Sequence, residues 1–185
     1  MPGRSGSSAG RIARLVSLGL LAILPSARSA AGDGEDALKS ATVLSFLRYS
    51  TWPSTSRNAD LLTVGVVGRS SFAKILSGLL EGKSVNGHKV RLVELKPGSD
   101  LRSCDLIYFA TDRKLDIETA LQSVGTSHAL TIGEADKFLD YGGAINLMLV
   151  DGHMAFEVNL QVLERSGVDI SAKLLRLGQI RKRGA

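Results

Sequence analysis

The chain has 185 residues, 44% hydrophobic and 22% charged, with 23 basic and 18 acidic side chains and a single cysteine. That suffices for one domain with its own core, excludes a disulfide-stapled miniature fold, and is too apolar for a disordered tract. Arg4, Arg11, Arg14 and Arg28 lie in residues 1–31, which hold no acid, so the remainder carries 19 bases against 18 acids. The domain is nearly neutral and its only concentrated bases, Arg176, Arg181, Lys182 and Arg183, lie at the extreme C-terminus and read as a solvated end, so no nucleic-acid partner is expected.

The opening residues carry their own message. Three arginines precede an apolar run at 15–24, which is followed by Pro25, Ser26, Ala27, Arg28, Ser29 and Ala30. That order is a secretory signal peptide. The run is too short to span a bilayer, which takes about 20 apolar residues. Cleavage after Ser29 or after Ala31 would leave small residues at the required positions. The expectation is a leader over 1–31 and an exported, periplasmic domain over 32–185.

Residues 36–50 predict a helix, with Asp33 or Asp36 as cap and with Leu38, Ala41, Val43, Leu44, Phe46 and Leu47 spread round most of its circumference. It ends before Trp52-Pro53, because the residue before a proline is pushed out of the helical region. After a polar stretch, the valine-rich run 61–67 suits a strand covered on both faces. Gly68-Arg69-Ser70-Ser71 then leads into a short helix over 72–80, and Asn86-Gly87 marks a turn. Residues 89–95 alternate as a half-exposed strand, with Val93 breaking the pattern.

Further on, 105–110 predicts a strand, 115–124 a helix with Leu115, Ala120, Leu121 and Val124 inward, and 128–132 a short strand. The β–α–β order points to a single α/β domain, a layered sheet flanked by helices. Asp151-Gly152 between two alternating runs predicts an antiparallel hairpin near the C-terminus, since a two-residue turn of this type needs positive φ at both positions. A two-residue loop pairs Leu149 with Met154, Leu147 with Phe156 and Ile145 with Val158, on one face. A short helix over 160–165 stops at Gly167, and a last one starts near Ser171 with Ile170, Leu174 and Leu177 as its apolar line.

Candidate chemistry is sparse. The strand-to-helix turn Gly68, Arg69, Ser70 and Ser71 could receive an anion or nucleotide phosphate at the helix N-terminus, yet it lacks the third glycine of a dinucleotide fingerprint and any Walker lysine. His88, His128 and His153 fall at turns and strand ends, without a serine elbow or an orienting acid to make a hydrolytic site. No cluster has metal-ligand spacing, so neither metal nor cofactor is expected, and the chain reads as no enzyme. Glu134 with Asp136, and Asp112 with Asp116, read as loop and capping acids. Cys104 reads as a small buried thiol, and no disulfide is expected. Trp52 serves either as a core or rim anchor or as an interface hot spot.

Several stretches together resemble the YfiR family of periplasmic repressors. They are Leu38-Lys39 with Ala41, Trp52-Pro53, residues 62–68, Gly82-Lys83 with Val85-Asn86-Gly87, and Cys104-Asp105-Leu106-Ile107-Tyr108. The specific part is the last third: Gly143-Ala144-Ile145-Asn146-Leu147, Asp151-Gly152, Phe156-Glu157-Val158-Asn159-Leu160, Ser166-Gly167 and Ile170-Ser171 with Lys173-Leu174-Leu175-Arg176-Leu177. The resemblance runs from about Ala37 to Gln179. It implies a binding module that holds the periplasmic part of an inner-membrane diguanylate cyclase inactive, lowers cyclic di-GMP and biofilm formation, associates as a homodimer, and is sequestered in turn by an outer-membrane lipoprotein. Trp52, Lys173 and Arg176 are the candidate contact residues. The alternative is a periplasmic sensor taking a small anion or nucleotide at Gly68–Ser71. The chain departs from the best-known member in keeping only Cys104, which removes redox control through an internal bridge, and in having no basic pair at Asp169 and Ser171.

Overall fold

The computed structural model describes residues 27–53, 60–96, 98–125 and 127–181, with side chains from Gly32 onward. Most of the expected leader, the polar stretch 54–59, and Lys182 and Arg183 fall outside the described residues. The first helix, α1 (Ala27–Tyr49), leads into a two-residue strand, β1 (Ser50–Thr51). Neither Asp33 nor Asp36 caps α1, because it begins at Ala27, upstream of both, and Asp36 is instead buried along its length. Only part of its circumference is covered: Val43, Leu44, Phe46 and Leu47 face the core, while Leu38 and Ala41 are exposed.

The central strand is β2 (Leu61–Gly68), followed by α2 (Ser70–Leu80), a short β3 (Ser84–Val85) and β4 (His88–Leu95). Then come β5 (Leu106–Ala110), α3 (Lys114–Val124) and β6 (Leu130–Gly133). The hairpin is β7 (Ile145–Val150) with β8 (His153–Val158), and the chain continues through α4 (Leu160–Ser166), β9 (Asp169–Ile170), α5 (Ala172–Leu175) and β10 (Gln179–Ile180). One open eight-stranded sheet runs in the order β10-β8-β7-β6-β5-β2-β4-β3, and β1 pairs with β9 in a separate antiparallel ladder. The five strands from β4 to β7 are parallel to their neighbours, whereas the β3–β4 and β7–β8 pairs are antiparallel, so the α/β sheet is mixed.

Period-two alternation divides the core into two layers. Leu62, Val64 and Val66 of β2 with Leu106 and Tyr108 of β5 meet α1, α2 and α4 on one face. Val67, Ile107 and Phe109 meet Ile117, Ala120 and Val124 of α3 on the other, where Cys104 also lies. The same alternation explains Val93: β4 lies next to the central strand, so Val90 and Leu92 serve the first layer while Val93 and Leu95 serve the second. In α3 Ala120 and Val124 face inward as expected and Ile117 joins them, whereas Leu115, expected inward, is 71% exposed because it falls at the first turn on the solvent side.

The hairpin has the register read from the sequence: Leu149 with Met154, Leu147 with Phe156, Ile145 with Val158. Asp151 and Gly152 both take positive φ, 49° and 77°, as a two-residue turn matching the strand twist requires. Phe156 meets Phe46 of α1 edge to face at 5.1 Å, which ties the hairpin to the first layer. Asn159 caps α4 through its side-chain oxygen, and Gly167 ends that helix in the left-handed conformation. The last helix is one turn long, and Leu177 leaves its apolar line to stand 75% exposed in the following turn.

Candidate functional site

The parallel strands have the order 2-1-3-4-5 when counted along the chain, because β2 leads to β4 on one side and β5, β6 and β7 lie on the other. The connection after β2 crosses the face of α2, and that after β5 crosses the opposite face with α3. Between β2 and β5 the winding reverses, and outside the carboxyl ends of strands at such a point an open α/β sheet forms a crevice. Gly68 makes the close approach possible: at φ 115° it has no Cβ, and one would lie 2.3 Å from the carbonyl oxygen of Ala110.

The crevice, of about 760 Å³, is lined by residues of α1, the β2–α2 turn, the end of β5 and Glu134, the first residue after β6. Glu134 is its hub. One carboxylate oxygen accepts from Arg69, and the other accepts from Lys39 Nζ at 2.8 Å and from the Tyr108 hydroxyl at 2.9 Å. Arg69 also donates to Asp36 at 2.8 Å, and Lys39 pairs with Glu35 one turn earlier on α1. The Tyr108 ring is stacked on Phe72 of α2, with centroids 4.0 Å apart, which fixes where its hydroxyl points. Glu134 itself is placed by the 134–143 loop, whose Phe138 ring is clasped by Gly133 and Gly143. A Cβ on either glycine would lie within 2.4 Å of that ring. With its amide turned to donate, buried Asn146 reaches the carbonyls of Ala135 and Gly133 at 3.1 and 3.2 Å and pins the start of the loop.

These contacts fix the protonation states. Burial opposes charge on Glu134, but the hydrogen bonds from Arg69 and Lys39 outweigh it and hold the carboxyl below its usual range. Burial likewise works against charge on Lys39, and its bonds to Glu134 and Glu35 prevail to push the ammonium up. The Tyr108 hydroxyl is pushed well above its usual value, first by burial and then by the charge of Glu134. The hydrogen bond to Glu134 does the same for Arg69. Glu134, Lys39, Tyr108 and Arg69 are each thereby held more firmly in their ordinary charge state. The geometry makes a clamp: Asp36 and Lys39 hold α1 against the ends of β2, β5 and β6.

The sequence-derived candidates distribute as follows. Gly68, Arg69, Ser70 and Ser71 sit together at the start of α2, but Arg69 is committed to two carboxylates and the Ser70 hydroxyl donates to Glu94 at 2.6 Å. Five acids (Asp33, Glu35, Asp36, Asp112, Glu134) and two bases (Lys39, Arg69) line the crevice, a sign of charge that works against an anion there. Trp52 is half-buried against the first layer, its indole N–H donating to the carbonyl of Asp105 at 2.8 Å. Lys173 and Arg176 are exposed. The antiparallel β1–β9 register carries Trp52 toward Val168 and Ser171 toward Tyr49, so Trp52 and the α5 bases leave that ladder at opposite ends.

The sequence reading passed over Asp36, Lys39 and Glu134 as site residues. Lys39 carried a signal, a charge beside Ser40 on the covered side of an apolar helix, while Glu134 was one acid among several until the fold closed on it. Cys104 is buried and unpaired, and burial pushes its thiol up to about 11. His128 bonds through Nδ1 to the carbonyl of Ser166 at 2.8 Å. Among the described residues no group of His, Cys, Asp and Glu side chains could hold a metal, and no helix is long and apolar enough to cross a membrane.

Two solved structures are similar in fold. One is a conserved domain protein from Vibrio cholerae O1 biovar El Tor, 14% identical over 79% of this chain and 60% of that one, with a TM-score of 0.49. The other is the ABC domain from Streptococcus pneumonia in complex with L-Trp, 15% identical over 65% of this chain and 55% of that one, with a TM-score of 0.45. The chain thus spans 60% and 55% of the length of these two proteins. The YfiR/HmsC-like family model matches residues 36–179, from the buried acid of α1 through the crevice and the hairpin to the start of the last strand. By that match, which takes in both the clamp and the hairpin, the chain belongs to the YfiR/HmsC-like family.

Proposed function

We propose that this chain is an exported, non-catalytic regulator that binds the periplasmic part of an inner-membrane diguanylate cyclase and lowers cyclic di-GMP output, and with it biofilm formation. The observation that carries the reading is family membership over residues 36–179. The electrostatics of the crevice agree with it: Glu134, Arg69, Lys39 and Tyr108 satisfy one another, an arrangement that rigidifies a binding module and leaves none of these four poised for acid–base chemistry. The regulator acts as a homodimer and is released from the cyclase when an outer-membrane lipoprotein sequesters it. Lys173 and Arg176 are its exposed contacts, and Trp52 supports the interface from its anchorage on Asp105.

The test is intracellular cyclic di-GMP and surface attachment in a deletion strain, complemented with and without residues 1–31. A rise on deletion that only the exportable form reverses is the expected result. Unchanged levels sink the proposal.

A further inference from the structure

After Asp169 the sequence carries five bases, Lys173, Arg176, Arg181, Lys182 and Arg183, and no acid. Residues 32–169 hold all 18 acids of the chain against 14 bases, so the domain body is acidic and its last stretch basic. Such segregation marks a surface rather than a fold requirement, since the bases contribute nothing to the two core layers.

The structure adds what the sequence leaves open. Among these bases stand Leu177, 75% exposed, and Ile180, 50% exposed, two of the most exposed large apolar side chains described. The segment is no loose tail. The amides of Arg176, Leu177 and Gly178 donate to the carbonyls of Ala172, Leu174 and Leu175, Arg181 donates to Val158, and β10 lies parallel along the end of β8. Gly178 rests on the Phe156 ring, where a Cβ would lie 2.1 Å from it, so the hairpin holds Leu177 and Ile180 outward on a fixed ledge. Ile180 and Arg181 also rim a hollow of about 680 Å³ lined by Leu139, Leu160 and Val162 and flanked by Arg165. One base is partly engaged, Arg181 with Asp140 at 3.1 Å, an exposed pair of small worth.

We propose that this ledge, Lys173 to Arg181, docks the protein on an anionic phospholipid surface. Apolar side chains set among cations suit a bilayer face, where apolar area enters the headgroup boundary while lysine and arginine meet phosphates. An acidic protein surface would satisfy the charges but offer water-exposed carboxylates to Leu177 and Ile180. The inference shares with the regulator reading the expected compartment and the side chains of Lys173 and Arg176, and docking would confine the molecule to the plane in which a membrane-anchored partner lies.

The protein is purified from cells expressing the full-length sequence, and its binding to phosphatidylglycerol-rich vesicles is compared with binding to phosphatidylcholine vesicles by co-sedimentation. The four substitutions leave residues 1–31 untouched, so any binding through that basic segment persists in every variant. Expected are binding that requires the anionic lipid and weakens with salt, and a loss of about fivefold for each of Lys173→Gln and Arg176→Gln, since each base near such a surface is worth roughly that factor. Leu177→Ser and Ile180→Ser weaken binding further at unchanged circular dichroism and melting temperature, because both side chains are exposed in the free protein. Equal binding to both vesicle types overturns the proposal, as does anionic binding untouched by the four substitutions. Capture by an acidic protein surface without vesicle binding overturns it as well. Cyclic di-GMP levels in cells test the regulator reading separately, so either can fail alone.

Discussion

The β7–β8 hairpin and the switch-point clamp are held by opposite means. In the hairpin, three apolar pairs lie within a stretch of 14 residues, and the turn chemistry of Asp151-Gly152 sets their register. In the clamp, Asp36 and Lys39 meet Arg69, Tyr108 and Glu134, the Lys39–Glu134 contact alone spanning 95 residues. The hairpin buries surface nonspecifically and cheaply in sequence terms. The clamp sets how α1 docks on the sheet, because any slip would leave the buried Lys39 or Glu134 charge without its partner.

The largest effect that separates the two should come from Phe156→Ala. Its ring touches Phe46 and supports Gly178, so the substitution opens a cavity beneath the hairpin and should cost about 3–5 kcal/mol in urea unfolding, with Phe46→Ala not additive to it. Glu134→Gln comes next. It leaves Lys39 and Arg69 short of a partner and should cost about 3 kcal/mol, and a double-mutant cycle with Lys39→Met should recover part of that loss. A loss under about 0.5 kcal/mol would show that the clamp contributes no net stability.

The clamp also has a pH signature that the hairpin lacks. Burial works against the Glu134 charge and the bonds from Arg69 and Lys39 prevail, so its folded pKa lies below the ordinary value of 4.5. Its contribution is therefore complete above that value and is lost as pH falls through the lower, folded value. Acid unfolding followed by circular dichroism should show a shallower acid limb in Glu134→Gln than in the parent. Gly152→Ala should cost about 1–2 kcal/mol through positive φ alone, at every pH. The smallest effect belongs to Leu149→Ser at the exposed end of the hairpin, within about 0.5 kcal/mol of the parent.

The same contrast explains which parts of the molecule could be read in advance. Asp151-Gly152 and Gly167 act through neighbours a few residues away, so register and stop were both visible in the sequence, whereas the equally local Asn159 cap was not read. Strand runs such as 61–67 were visible because burial on both faces leaves the run apolar apart from Thr63. What failed depended on placement: Leu115 and Leu177 look inward by spacing alone, and only the packed helices show that nothing covers them. The order of the sheet, and hence the meeting of Lys39 with Glu134, follows from crossovers that no local pattern records. Arg69 was singled out as part of an anion site, and a helix start says nothing of the two carboxylates that reach it from elsewhere.

Cys104 gives the α3 layer a built-in reporter. Its sulfur lies 2.9 Å from where a Cβ on Gly65 would stand, and burial holds the thiol at about 11, so in the closed domain almost no thiolate is available to react. Labelling by a disulfide reagent must wait until β2, β4 and α3 part. Its rate under native conditions therefore measures how often that layer opens, one molecule at a time, without a probe being introduced.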